Sequence, residues 1–226
     1  MDDLEKRRIA VFSSWKKIAG VLSEHGELNC FFLGGLGIRM RAAASRNADL
    51  KKEDLRHHGD IDITVFDEDL IPFIKLFSKE EYDIWHTPIA GLASQAQGEY
   101  HSVSLRDKAN DVDIGLFRAV ADGEGRMITT NLRRVYHPGP VFASPAVSLN
   151  GMQLKVLSPE WLYYMSVLQA GEKRRDGQLI VDAVDFDKFN LTQLNAYETG
   201  SDPYQYFKLV TEYDEALKKS GALTHE

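Results

Sequence analysis

Residues 60–65 read Asp-Ile-Asp-Ile-Thr-Val and alternate between polar and apolar side chains. Successive side chains of a β-strand point to opposite faces, so this period of two predicts a strand whose isoleucines and valine enter the core. Asp60 and Asp62 then share the other face, with their Cα atoms about 6.5 Å apart. Two carboxylates this close repel each other by about 2–3 kcal/mol at a protein surface, and a bound cation would remove that repulsion.

A second alternating segment strengthens the case for a cation site. An Asp-x-Asp pair alone is also common on a solvated strand edge, and that interpretation stays open for the first segment. Residues 111–117, however, form a second predicted strand with Asp111 and Asp113 on one face and apolar side chains on the other. A neighbouring strand can therefore bring a third carboxylate to the pair, although a solvated outer face with Asp111 and Asp113 as turn and edge residues also explains the second segment taken alone. Magnesium prefers such oxygen ligands and is held by carboxylates together with substrate phosphates.

Two adjacent glycines, Gly34 and Gly35, lie between an apolar predicted strand at 30–33 and a predicted helix at 36–44. Backbone N–H groups can approach a phosphate closely at such a turn, and the helix dipole favours negative charge there. A tight strand-to-helix turn also needs small residues for steric reasons alone. No Gly-Lys-Ser/Thr follows, so the segment is not a Walker A loop.

The remaining periodicities predict an α+β fold with a mixed sheet and flanking helices. Residues 2–25 and 69–77 have helical spacing, whereas 82–85 and 99–105 are candidate strands. Asn150-Gly151 predicts a hairpin, and Ser158-Pro159 predicts the start of a helix. A last helix is predicted near Ser201, and no strand signal follows residue 157. We therefore predict an α/β domain at 1–157 and a small helical C-terminal domain at 158–226.

The order of these features resembles the DNA polymerase beta-like nucleotidyltransferase superfamily. That order is strand, Gly-Gly, helix, an Asp-x-Asp strand and a later strand with one aspartate. Four segments, which together span roughly residues 30–175, look like the lincosamide and aminoglycoside nucleotidyltransferases. They are Gly-Gly-Leu-Gly at 34–37, Arg-His-His-Gly-Asp-Ile-Asp-Ile at 56–63, Val-Asp-Ile at 112–114, and residues 149–160.

The resemblance implies a role for each matching residue. The paired aspartates, here Asp60 and Asp62, would hold magnesium, expected as two ions, together with the nucleoside triphosphate. The later aspartate, here Asp113, would complete the metal site or act as the base. By the same resemblance Gly34 and Gly35 would contact phosphate, and Arg56 and His58 would line the nucleotide side.

The sequence departs from the family pattern in two places. Gly35 and Asp60 are 25 positions apart, so residues 43–54 look like an insertion beside the site. Many members of the superfamily have Gly-Ser where this chain has two glycines, which removes a hydroxyl contact to phosphate. Arg39 and Arg41 follow the glycines and could neutralise phosphate, but we expect them at a solvated helix end.

Charge and cysteine content restrict the acceptor and the compartment. The formal net charge is −7, and ten of the 34 acidic residues but only four of the 27 basic ones follow residue 175. An acidic second region makes nucleic acid an unlikely acceptor and suits a small cationic one, although these acids are also explained as solvated helix sides. The single Cys30 excludes an intrachain disulfide, and no apolar segment is long enough for a signal peptide or a membrane span. We expect a soluble cytoplasmic protein that does not bind membranes.

The sequence therefore predicts a magnesium-dependent nucleotidyltransferase. It would move a nucleoside monophosphate, AMP if ATP is the donor, to a hydroxyl of a small molecule such as an aminoglycoside or lincosamide antibiotic, and release pyrophosphate. The alternative is a toxin–antitoxin component or a non-catalytic nucleotide-binding regulator with the same kind of fold.

Overall fold

A computed structural model describes residues 2–55, 59–88, 101–121, 127–129, 135–136, 145–167 and 172–185. Two of the residues implied by the resemblance, Arg56 and His58, lie outside the described residues. The helix predicted near Ser201 and most of the acidic C-terminal region also lie outside them.

The first helix, α1 (Asp3–Glu24), follows the predicted spacing closely. It begins at Asp2, whose carboxylate accepts a hydrogen bond of 2.7 Å from the Glu5 N–H and so caps the helix. It ends at His25, just before Gly26. Side chains three and four positions apart form its buried stripe, namely Val11, Trp15, Ile18, Ala19 and Leu22. The helix thus packs one face against the rest of the chain.

A mixed sheet forms the centre of the described structure. Its strands are β1 (Cys30–Phe32), β2 (Asp60–Phe66), β3 (Tyr82–Pro88), β4 (His101–Asp107), β5 (Val112–Ala121), β6 (Met127–Thr129) and β7 (Val135–Tyr136). The order is β1-β2-β5-β4-β3, and β6 pairs with both β5 and β7. Only the β2–β5 pair is parallel among these described strand pairs. The predicted α+β class with a mixed sheet is confirmed.

Among the described residues, four further helices and two 3-10 turns lie between or after these strands along the chain. They are α2 (Gly34–Ser45), α3 (Asp67–Lys75), α4 (Pro159–Val167) and α5 (Glu172–Gly177), with 3-10 turns at Lys52–Asp54 and Gln178–Ala183. Ser158 caps α4 as predicted, since its hydroxyl accepts a hydrogen bond from the Trp161 N–H. Trp161, Leu162 and Ile180 join the same hydrophobic core as the sheet. The domain division at residue 157 stays a prediction.

The predicted hairpin is present as β8 (Val147–Leu149) and β9 (Met152–Leu154). Asn150 and Gly151 both have positive φ, 52° and 77°, as a two-residue hairpin turn of the I′ type requires. The Asn150 side chain accepts a hydrogen bond from the Leu50 N–H and donates one to the Leu50 carbonyl. Asp49 in turn accepts one from the Asn150 N–H. The segment predicted to be an insertion is therefore bound to this hairpin.

The first residues of β2 and β5 present an apolar face to the core and a polar face on the other side of the sheet. Ile61, Ile63 and Val65 of β2 are fully buried, as are Val112 and Ile114 of β5. The polar alternate positions therefore lie on the opposite side, where β2 and β5 run in parallel. In the part of the chain that the structure describes, no helix is both long and apolar enough to cross a membrane.

Candidate active site

Three aspartates occupy the start of the parallel strand pair. Asp60 lies directly opposite Asp113, and Asp62 lies opposite Gly115. Because side chains alternate along both strands, the three carboxylates share the polar face of the sheet. Asp60 and Asp113 are exposed, and Asp62 is half-buried. The structure thus brings together the three aspartates that the sequence singled out.

Asp62 lies beside the first residue of α2. The Leu33 N–H donates a hydrogen bond of 3.1 Å to the Asp62 carbonyl, which ties the start of the helix to β2. Gly34 has a φ of 63°, and a Cβ added there would approach Asp62 Oδ2 closer than 3.0 Å. A Cβ at Gly115 would lie 3.1 Å from Asp62 Oδ1. Two glycines therefore make the room that this carboxylate occupies.

Gly35 is the second residue of the helix and neighbours an ion pair that sequence reasoning missed. Arg39 donates a hydrogen bond of 3.2 Å to the Gly35 carbonyl and also donates to the Asp54 carbonyl. Its Nη2 lies 3.2 Å from the carboxylate of Asp176, which is buried in α5. The partners are 137 positions apart, so no local pattern predicts the pair. The expected solvated position of Arg39 is wrong.

Arg41 is buried as well, and its role is structural. Its guanidinium donates hydrogen bonds to the carbonyls of Leu157, Pro145 and Val156, which lie before β8 and after β9. Burial lowers the pKa of Arg41 to about 10. The expectation of a solvated helix end is therefore wrong for this residue too, because carbonyl groups on both sides of the hairpin replace water around it.

Asp113 faces a cation from the neighbouring strand β4. Arg106 is the register partner of Asp113, and its Nη1 lies 3.6 Å from Asp113 Oδ1. The same guanidinium donates to Asp111, with its Nε 2.7 Å from Oδ1, and this hydrogen bond raises the pKa of Arg106. Asp111 has a φ of 54° and lies in the turn, so β5 begins one residue later than predicted. Sequence reasoning did not identify Arg106 as a site residue.

The donor set at these strands fits a divalent cation that prefers oxygen. Asp60 and Asp62 lie two residues apart on one strand face, and Asp113 is the direct register partner of Asp60 on the neighbouring strand. Among the described residues, no three carboxylate, imidazole or thiol groups already surround a single point. The oxygen chemistry of these donors fits a divalent cation.

Comparison with known proteins gives a fold relationship at low sequence identity. No family model and no curated protein matches the chain. A crystal structure of ANT(2'')-Ia in complex with adenylyl-2''-tobramycin is 13% identical, with a TM-score of 0.52, and the match covers 83% of this chain and 96% of that one. The lincomycin-bound lincosamide antibiotic adenylyltransferase LnuA is 14% identical, with a TM-score of 0.49, over 72% of this chain and 92% of that one. The chain shares the fold of ANT(2'')-Ia, which confirms the nucleotidyltransferase fold predicted from the sequence.

Proposed function

We propose that this protein is a magnesium-dependent nucleotidyltransferase that transfers AMP from ATP to a hydroxyl of a small molecule and releases pyrophosphate. One observation carries the proposal. Asp60, Asp62 and Asp113 share one sheet face, and Asp62 lies against the glycine that begins α2. A carboxylate cluster next to a helix N-terminus, on a nucleotidyltransferase fold, is the arrangement that this chemistry needs.

The triphosphate side of the proposed site is the start of α2. The first N–H groups of a helix have no partner within the helix, and the helix dipole adds positive potential there. Gly34 and Gly35 lie at this end, where the absence of side chains lets phosphate oxygens approach the backbone. Arg39 bonds the Gly35 carbonyl and is held by Asp176, so it fixes the conformation of this turn. We assign the β- and γ-phosphates to this turn at Gly34 and Gly35.

Asp60 and Asp62 would hold magnesium, with Asp113 beside them. A bound magnesium ion supplies charge stabilisation for the transferred phosphoryl group and for the departing pyrophosphate. The protein contributes position, because both aspartates are fixed by the ladder of hydrogen bonds between β2 and β5.

The reaction makes one bond and breaks one. The acceptor oxygen bonds to the α-phosphorus, and the bond from that phosphorus to the oxygen bridging to the β-phosphate breaks, so that pyrophosphate leaves. The acceptor hydroxyl loses its proton to a base. Asp113 could act as that base or as a further ligand of the metal. Only the role of base requires a proton acceptor at residue 113 for the transfer step.

The acceptor class follows from charge and from the fold relationship. The chain carries a net charge of −7, which favours a small cation over a nucleic acid. The structural relative ANT(2'')-Ia is seen with adenylyl-2''-tobramycin. We therefore propose an aminoglycoside, or a lincosamide, as the acceptor. The proposal also places the enzyme in the cytoplasm, where ATP and magnesium are available.

The test is pyrophosphate release with each nucleoside triphosphate and magnesium, against a panel of aminoglycosides and lincosamides. Asp62→Asn should abolish acceptor-dependent release and leave the melting temperature within a few degrees. Glu68→Gln is the matched control, because Glu68 is exposed in the first turn of α3 and the change likewise removes one negative charge. Equal activity of wild type and Asp62→Asn would refute the proposal. Magnesium-dependent ATP binding without turnover on any acceptor would instead favour a regulator.

A further inference from the structure

The polar face of the sheet continues beyond the aspartates. Strand register defines two rows of side chains that cross β2, β5, β4 and β3 in that order. The first row is Asp60, Asp113, Arg106 and Asp83, and the second is Asp62, Gly115, Ser104 and Trp85. The rows therefore connect the proposed catalytic carboxylates with a tryptophan on the outer strand β3.

Trp85 is exposed over 46% of its surface, whereas Trp15 and Trp161 are buried. A single exposed aromatic residue needs no explanation by itself, but Trp85 contacts an arginine that also lies beside Asp113, one of the proposed catalytic aspartates. The Arg106 guanidinium lies over the indole ring, 5.6 Å from its centre, and its Nη1 lies 3.6 Å from Asp113 Oδ1. These contacts place the ring centre within about 11 Å of the Asp113 carboxylate.

The in-line geometry of the reaction assigns the end of the rows on β4 and β3 to the acceptor. In an in-line displacement the attacking oxygen and the leaving pyrophosphate lie on opposite sides of the transferred phosphorus. The proposed phosphate turn at Gly34 is on the β1 side of β2. The acceptor must then approach from the other side, across β5, where β4 and β3 follow.

We propose that Trp85 is a specificity-determining residue that binds a cationic sugar ring of the acceptor. The inference rests on the proposed function and deepens it. Its ring already has a cation over it, and an ammonium group of an aminoglycoside can bind an indole face in the same way. On the second row only Gly115 and Ser104 separate the indole from Asp62, so no bulky side chain of that row intervenes.

Kinetics with Trp85→Ala and Trp85→Phe test the assignment. Trp85→Ala should raise the KM for tobramycin about 5- to 20-fold, and Trp85→Phe should retain most of the affinity. The KM for ATP should not change. Leu179→Ala is the control, because Leu179 is an apolar residue with the same 46% exposure, and it should leave both constants unchanged. An unchanged KM for tobramycin overturns the inference, and so does a rise confined to ATP.

Acrylamide quenching gives a second readout that does not need turnover. Because Trp15 and Trp161 are buried, the quenchable fluorescence comes from Trp85. Tobramycin without nucleotide should reduce this quenching, and Trp85→Phe should remove the quenchable component. Turnover with wild-type kinetics in Trp85→Ala and no protection by tobramycin would overturn the inference while the proposed function stands. A wild type that turns over no acceptor and shows no protection would refute both.

Discussion

The contact between Gly34 and Asp62 makes a strong prediction for the Gly34→Ala variant. Residue 34 has a φ of 63°, and an L side chain in this region costs about 1–2 kcal/mol. The smaller entropy of the unfolded alanine chain offsets about 0.4–1 kcal/mol of that cost. The net loss in free energy of unfolding is therefore about 1 kcal/mol, which lowers the melting temperature by about 2–4 °C in a chain of this size.

The effect on activity should be much larger than the effect on stability. The new Cβ would meet Asp62 Oδ2, which has to withdraw by about 1 Å to reach an ordinary contact distance. A displacement of about 1 Å at a reacting centre can reduce a rate about 100-fold. We therefore expect a loss of about 100-fold in kcat for pyrophosphate release.

The Gly151→Ala variant separates the effect of backbone strain from the effect of displacing Asp62. Gly151 also has a positive φ, 77°, but nothing lies within 4 Å of a Cβ added there. This variant should lose the same stability and keep full activity. The assays are thermal unfolding and pyrophosphate release, measured on both variants and the wild type. The reasoning fails if Gly34→Ala is as active as Gly151→Ala, since Gly34 would then not set the position of Asp62.

Two further predictions concern stability away from the site. Arg118 and Asp67 form a buried ion pair with hydrogen bonds of 2.8 and 3.0 Å, so Arg118→Leu should lower the free energy of unfolding in urea by about 3–5 kcal/mol. Adding Asp67→Leu should recover much of that loss, because no buried charge is then left unpaired. A double variant no more stable than Arg118→Leu would contradict this explanation. For Asp107, burial alone would raise the pKa, but the hydrogen bonds from Asn110 and the charge of Lys17 outweigh burial and hold it below the usual 3.8. The carboxylate therefore stabilises the fold above about pH 4 and loses that effect as pH falls through its lowered value. Asp107→Asn should cost about 1–3 kcal/mol at pH 7 and less at pH 3, whereas an equal cost at both values would contradict the assignment.

The centre of the site could be predicted because its signals are local. Period two along residues 60–65 fixes the face of Asp60 and Asp62, and the same period fixes that of Asp113. The Asn-Gly hairpin is equally local, since its turn type follows from two adjacent residues. The very short β6 and β7 were not predicted, because two or three residues carry too little periodicity to stand out.

The remainder of the site depends on pairing between distant segments. Arg106 reaches Asp113 through the register of β4 and β5, and Trp85 joins them through the register of β3 and β4. Neither register can be read from one strand alone. Arg41 looked like a surface residue because its sequence neighbours do not show which carbonyl groups will surround it. Local pattern therefore predicts which residues share a face but not which faces meet.

The strand order places the proposed catalytic aspartates on central strands and the proposed acceptor residue on an outer strand. Asp62 and Asp113 lie on β2 and β5, each of which is paired on both sides, whereas Trp85 lies on β3, which pairs only with β4 among the described strands. A substitution on a central strand disturbs two ladders, while a substitution at the outer strand disturbs one. If Trp85 binds the acceptor as proposed, selection for a new acceptor can act on the sheet edge while the proposed catalytic aspartates at its centre stay unchanged.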